Sequence, residues 1–211
     1  MEEQLGKIYD SVLIGDQQET IRLVQDALAQ GRSSQEILFN AMVPAMDEVG
    51  RLYEQGEYFI PEMLVSARAM HSGQELLKPH LKGGGIQSLG KIAIGTVKGD
   101  LHDIGKNLVS MMLEGAGFEI QDLGVDVGPE KFVEAIQNGA QIVGFSALLT
   151  TTMSQMKVIV DTIQSSGLRE KVKIMIGGAP ITQNYANSIG ADGYATDAST
   201  AVELARSLIR K

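Results

Sequence analysis

Cysteine and tryptophan are both absent from this 211-residue chain. Without cysteine there is no disulfide, no thiolate metal site and no cysteine nucleophile, and the absence is compatible with the cytoplasmic location expected here. Positive charge is also scarce: 18 Lys and Arg face 26 Asp and Glu, a net charge of -8. That balance disfavours nucleic-acid phosphate or an anionic membrane as the main partner. No apolar run approaches a membrane span, and the acidic opening MEEQLGKIYD lacks the apolar centre of a signal peptide. What is present is ordinary for a globular protein, with 44% hydrophobic and 21% charged residues. The length allows one large domain or two small ones, each with its own core. Methionine is plentiful at 10 residues, and those in the first half read as fillers of helical cores.

The chain changes character at KGGGIQSLG, Lys82–Gly90. Three consecutive glycines after a helical pattern read as a linker. We therefore divide the chain into a helical cap domain over residues 1–82, a linker over 83–90 and an α/β domain over 91–211. Helices are expected over Glu3–Ile14, Gln17–Gln30, Ser34–Glu54 and Pro61–Leu81, separated by turn signals at Gly15, Gly31 and Gly56. Pro44 falls inside the third pattern as a potential kink. Four helices with short connections indicate an antiparallel four-helix bundle. After the linker, β-rich runs (KIAIGTV, FEIQDL, QIVGFSA, KVKIMI, GYAT) alternate with helical ones near Ile104–Gly115, Pro129–Asn138, Thr152–Ser166, Ile181–Ser188 and Ser199–Ile209. Five β-α repeats predict a five-stranded parallel sheet of Rossmann-like, flavodoxin-like type with helices on both faces. Ligands of such sheets bind beyond the carboxyl ends of the strands, so the loops after Val97, Leu123, Ser146 and Ile176 hold the interest.

The first of these loops reads GTVKGDLHDIGKN, residues 95–107. It is not a P-loop. Gly99 stands one residue too far from Gly105-Lys106, and Asn107 replaces the magnesium-binding hydroxyl. The three closely spaced glycines of a dinucleotide fingerprint are missing as well. Asp100 and His102 remain. A carboxylate that accepts an imidazole N–H fixes the tautomer and leaves the second ring nitrogen as a metal ligand or a base. The plainer reading is a surface histidine, with Asp103 capping the next helix. One histidine makes a convincing metal site only if something else supplies most of the ligands, as a macrocycle does.

Further residues gather at the same edge. Ser146, Thr150, Thr151 and Thr152 supply four hydroxyls where helix capping needs one. Gly177-Gly178 ends the fourth strand, either as a turn or to let a flat group approach the backbone. Thr196–Ser199 caps the last helix.

The series Asp100-x-His102-x-x-Gly105, Ser146-x-Leu148 and Gly177-Gly178, in this order and spacing, resembles the cobalamin-binding corrinoid proteins of methyltransferase systems, akin to the cobalamin module of methionine synthase. VGRLYEQGEYFIPEMLVSARAM in the first half is similar to that family's helical cap. The resemblance covers nearly the whole chain. It implies a bound cobalamin or related corrinoid, cycling between cob(I)alamin and methylcobalamin. His102 is then the lower axial ligand of cobalt, Asp100 its hydrogen-bond partner and Thr152 the hydroxyl that extends the relay. Gly99, Leu101, Asp103 and Gly105 flank the ligand, with Leu148 in the motif after the third strand. Ser146 and Thr150 match residues beside the cofactor's nucleotide tail, Gly177 and Gly178 make room for it, and Ala198 matches a later contact. Tyr53 and Ile60 match the apolar residues that cover the upper face, with tyrosine here where the family commonly has phenylalanine. His71 and His80 lack a partner pattern and read as surface or structural residues.

The function implied is a methyl carrier rather than an autonomous enzyme. A substrate-specific methyltransferase loads the cobalt, and a second methyltransferase removes the methyl to a thiol or a tetrahydrofolate-type acceptor. A reductive-activation protein is expected as a third partner. A cobalamin-based sensor is the alternative, disfavoured because no output domain is evident. An adenosylcobalamin enzyme subunit is the other, disfavoured by a four-helix cap carrying Tyr53.

Overall fold

Leu5, Ile8, Ser11 and Val12 recur at helical spacing and are the buried face of α1 (Glu3–Leu13). The same logic builds α2 (Gln17–Ala29), which buries Thr20, Leu23, Val24 and Ala27 and starts at Asp16, whose side chain accepts the Glu19 N–H. These elements come from a computed structural model that describes residues 2–81 and 88–210. Residues 83–87 of the expected linker, and residue 82 before it, lie outside the described residues. The chain forms two compact units, Met1–Gln87 with Glu114–Gly117, and Ser88–Leu113 with Phe118–Lys211.

In the helical unit the third predicted helix is not uniform. It runs as α3 (Ser34–Ile37), a π-turn over Leu38–Met42, and α4 (Val43–Glu54). Pro44 explains the interruption. Its ring has no N–H to donate and clashes with the carbonyl four residues back in a regular helix. Widening the preceding turn, so that Val43 N–H reaches Leu38 O, accommodates it without ending the helix. The last helix, α5 (Ile60–Leu81), carries Pro79 in its final turn. Met42, Met46, Met63 and Met70 are buried in this unit, together with Ile8, Ile37 and Leu77. The loop between α4 and α5 and the start of α5 are both tied to the end of α1, because Tyr58 Oη and Ser66 Oγ donate to Leu13 O, at 3.3 and 2.8 Å.

In the second unit, among the described residues, five strands form one parallel sheet: β1 (Lys91–Thr96), β2 (Glu119–Asp122), β3 (Ile142–Ser146), β4 (Lys173–Gly177) and β5 (Gly193–Ala195). Their spatial order is β2-β1-β3-β4-β5. Helices α6 (Ile104–Gly115), α7 (Pro129–Gln137), α8 (Ser154–Ser165), α9 (Gln183–Ile189) and α10 (Ala198–Ile209) connect or follow them. The central strands are apolar almost throughout, as strands covered on both faces must be. Beside them Phe132 and Phe145 meet edge to face, 4.9 Å between ring centres. The chain leaves β1 for β2 on one side and later returns to β3 on the other, so the strand order reverses between β1 and β3. That is the position where ligands of such sheets bind.

The register sets Thr96, Ser146, Gly177 and Ala195 in one row at the carboxyl edge. Gly178 follows with φ +130°, and a Cβ there would fall 1.9 Å from the Ala147 carbonyl oxygen. Its lack of a side chain is thus required by the chain's own packing. Gly178→Ala should lower the unfolding free energy by at least about 2 kcal/mol. Urea unfolding reads this directly, and a variant as stable as the parent would contradict the packing.

Candidate functional site

The site is built on Asp100. Its side chain is fully buried, and an isolated carboxylate in that position would cost several kcal/mol. It is not isolated. Oδ1 accepts the His102 backbone N–H at 3.1 Å and faces His102 Nδ1 at 2.7 Å. Oδ2 accepts the Leu148 N–H at 2.9 Å, the Leu149 N–H at 3.4 Å and the Thr152 hydroxyl at 2.7 Å. The loop after β1 thus meets the loop after β3 across the switch point.

The two-residue spacing of Asp100 and His102 has a local cause. A carboxylate that takes the N–H two residues on closes an Asx turn, and this turn folds the imidazole back onto the same oxygen. Thr96 Oγ1 donates to His102 O at 2.9 Å, so His102 is held at its N–H, its carbonyl and its ring. Burial pushes the Asp100 carboxyl up, but the Thr152 hydroxyl, the Leu148 N–H and His102 together pull it further down, well below the usual carboxylate range. An ionised Asp100 makes Nδ1 the protonated nitrogen. The second nitrogen, Nε2, then carries a lone pair on a side chain 52% exposed.

Thr152 precedes α8, which begins at Ser154 rather than at Thr152. Its hydroxyl is 2.7 Å from Asp100 Oδ2 and 3.0 Å from Leu149 O. One proton cannot serve both, and the charged acceptor is the stronger. Capping the helix is therefore not what this threonine does.

Among the residues expected at the site, Asp100, His102, Leu148 and Thr152 are joined by hydrogen bonds. Gly99, Leu101, Asp103 and Gly105 lie on the same loop or the first turn of α6. Asp103 Oδ2 accepts the Asn107 side-chain amide at 3.1 Å. Ser146, Thr150, Gly177 and Gly178 are strung along the ends of β3 and β4, outside this network. Ala198, the first residue of α10, is buried. The residue that caps α10 is Asp197, with Thr200 completing a capping box. Tyr53 and Ile60 belong to the helical unit: Tyr53 is half-buried in α4, whereas Ile60 is exposed at the start of α5, beside an exposed Phe59. His71 and His80 are exposed.

Sequence reasoning placed Leu101 and Leu148 at the site but passed over Ile104 and Leu149. Leu101 and Ile104 are 71% and 83% exposed, Leu148 and Leu149 45% and 42%. Four large aliphatics on the two loops that flank an exposed imidazole form a collar suited to an apolar ligand face. At Gly105 a Cβ would meet nothing within 4 Å, so this glycine leaves open space that the protein does not fill. Among the described residues no three His, Asp or Glu side chains group to hold a metal ion. The donor set is a single imidazole nitrogen. It fits a metal whose other ligands arrive with it in a flat macrocycle, and it does not fit a bare cation.

A family model described as B12 binding domain matches residues 90–203, and a second of the same description matches residues 4–78. The chain is 41% identical over 210 residues to dimethylamine corrinoid protein 3 of Methanosarcina acetivorans, covering 99% of this chain and 98% of that one. A cobalamin-binding protein from Desulfitobacterium hafniense has a similar crystal structure, with TM-score 0.78 and 32% identity over 97% of this chain and 98% of that one. The methanol:cobalamin methyltransferase complex of Methanosarcina barkeri contains a chain that matches with TM-score 0.89 and 29% identity, over 99% of this chain and 80% of that one.

Thr152→Val keeps the shape and removes the proton. It should cost about 1.5–3 kcal/mol of stability at neutral pH, the range for a hydrogen bond to a charged group. The sign with pH follows from a lowered carboxyl. The Asp100 contribution is complete well above the ordinary value of 3.8 and is lost as pH falls below it. Urea unfolding at pH 7 and at acidic pH should therefore show the deficit of the variant shrinking in acid; a constant deficit would place the Thr152 proton elsewhere.

Proposed function

The chain belongs to the B12-binding corrinoid proteins, and on that premise we propose that it is a methyl-carrying subunit, loaded by one methyltransferase and unloaded by another. The observation that carries this reading is the Asp100-held imidazole, with its outer nitrogen free and an aliphatic collar around it. When bound, the corrinoid supplies the cobalt on which the methyl group rides. The residues of this chain do the rest.

His102 would hold the corrinoid through Nε2, the ring nitrogen that Asp100 leaves free. Asp100 keeps the proton on Nδ1, orients the imidazole and makes Nε2 a better donor. Leu101, Ile104, Leu148 and Leu149 provide apolar contact, and the open space at Gly105 admits the edge of a flat group. A proton that reaches Nε2 while it is not ligating forms an imidazolium whose charge Asp100 balances. Thr152 donates a hydrogen bond to the Asp100 carboxylate throughout, so a change at the imidazole is felt two groups away. Tyr53 and Ile60 would give apolar cover that keeps water from the reacting methyl group.

Both units match B12 binding domain models, which supports a chain that carries the methyl group between partners. The solved methanol:cobalamin complex supports a methyltransferase partner, and the dimethylamine relative puts methylated amines first among donors to test. The acceptor-side methyltransferase passes the methyl to a thiol or a tetrahydrofolate-type compound. A reductive-activation protein completes the proposed set, restoring the cofactor when it is oxidised.

The test loads the protein with methylcobalamin. The spectrum should be that of imidazole ligation with the cofactor's own base displaced, and His102→Ala should abolish it. Loaded protein should sustain methyl transfer only after donor-side and acceptor-side methyltransferases are added. An unchanged spectrum in the variant would remove His102 from the axial position, and turnover by the chain alone would contradict the carrier role.

A further inference from the structure

Asp126 is the one non-glycine residue with positive φ among those described, at +53°. It lies in the loop after β2, and that loop is laced onto β1 and its following turn. Leu123 N–H donates to Ile94 O, Thr96 N–H to Gly124 O, and Val127 N–H to Thr96 O, at 2.8–3.0 Å. Asp126 itself grips the turn twice. Its Oδ1 accepts the Gly99 N–H at 2.7 Å. Its own N–H donates to Asp100 O at 3.0 Å.

Asp100 is thus held from two sides. Its side chain bonds the loop after β3, and its backbone carbonyl bonds the loop after β2. Strand order β2-β1-β3 makes this possible, because the loop after β1 lies between the other two. In its left-handed conformation Asp126 turns both its N–H and its carboxylate toward the same neighbouring turn. Aspartate tolerates that conformation better than most residues but not freely. Backbone held in a sparsely populated region against its own preference occurs where surrounding contacts enforce it, often at functional sites. A second tie fixes the same loop from below. Lys106, buried in the first turn of α6, reaches Asp122 Oδ2 at 2.6 Å, and Asp122 Oδ1 accepts the Gly124 N–H at 2.8 Å.

We propose that Asp126 is a positioning residue for His102: by clamping Gly99 and Asp100 it sets where the Asp100 carboxylate sits and hence how firmly the imidazole is presented for axial ligation. This rests on the ligand role of His102 given above. It assigns to the loop after β2 a part in ligation exerted through the backbone of Gly99 and Asp100.

Three variants separate the side chain from the backbone. Asp126→Gly adopts the conformation freely but loses the acceptor for Gly99. Asp126→Asn keeps an acceptor oxygen and tolerates positive φ. Asp126→Ala loses both advantages. In cofactor-free protein, amide hydrogen exchange at His102, whose N–H is bonded to Asp100 Oδ1, should quicken at least about threefold in the Gly and Ala variants. In Asp126→Asn it should stay near the parent, and Ile174 in β4 should exchange alike in all. In protein loaded with methylcobalamin at one fixed pH, the ratio of imidazole-ligated to unligated cofactor should fall about three- to tenfold in Asp126→Gly and be restored in Asp126→Asn. Parent-like exchange and ligation in Asp126→Gly would overturn the proposal. So would an Asn variant that fails as the Gly variant does. If the parent itself shows no imidazole ligation, the role of His102 falls, while the exchange comparison still decides whether Asp126 clamps the turn.

Discussion

A buried carboxylate needs partners, and the carboxyl edge of this sheet is arranged around that need. Asp100 has no solvent to turn to, so its charge is met by donors from its own turn and from the loop after β3. Each donor is useful for stability. Together they also decide which imidazole nitrogen carries the proton and which is left over. The electrostatic requirement of folding and the proposed ligation by His102 thus rest on the same interaction. This is why an aspartate two residues before a histidine means more here than either residue alone.

The fold makes the convergence possible. A parallel sheet whose strand order reverses between β1 and β3 brings three loops together at one edge, with the histidine turn in the middle. The side chain of Asp100 faces one neighbouring loop and its carbonyl the other. Around this rigid polar centre lies an exposed collar of Leu101, Ile104, Leu148 and Leu149. Such a collar is costly to leave in water at about 25 cal/mol per Å², and a flat apolar ligand recovers that cost on binding. On the proposed function the labour divides: a buried network fixes one nitrogen, and an exposed rim would receive what that nitrogen binds.

Much of this was legible in the sequence, for definite reasons. The change from helical to alternating periodicity marked both halves, and α6 begins and ends where the pattern placed it, Ile104–Gly115. The Asp100–His102–Thr152 set could be read because the resemblance supplied pairings that spacing alone left open. Other features had no signal of that kind. The π-turn before Pro44 is a way of keeping a helix going, and a proline in a helical pattern announces only a disturbance. Without the resemblance Thr152 is one of four hydroxyls near a helix start, and the start of α8 at Ser154 removes the capping explanation. Gly178 looked like room for a ligand, and the carbonyl of Ala147 gives it a reason internal to the chain. Asp126 and Ile104 were invisible because their importance lies in a backbone angle and in exposure, and neither leaves a mark in composition or period.

On the proposed function, a nitrogen of this protein, held by Asp100, binds cobalt, and electron paramagnetic resonance can detect that bond. Protein carrying nitrogen-15 only in its histidines is loaded with unlabelled cobalamin and reduced to the paramagnetic cobalt(II) state. Axial ligation by His102 predicts that each cobalt hyperfine line splits into a doublet, the signature of a nitrogen-15 ligand, and that His102→Ala loses the doublet. A triplet from nitrogen-14 in the labelled protein would mean that the cofactor keeps its own base, and would contradict the account.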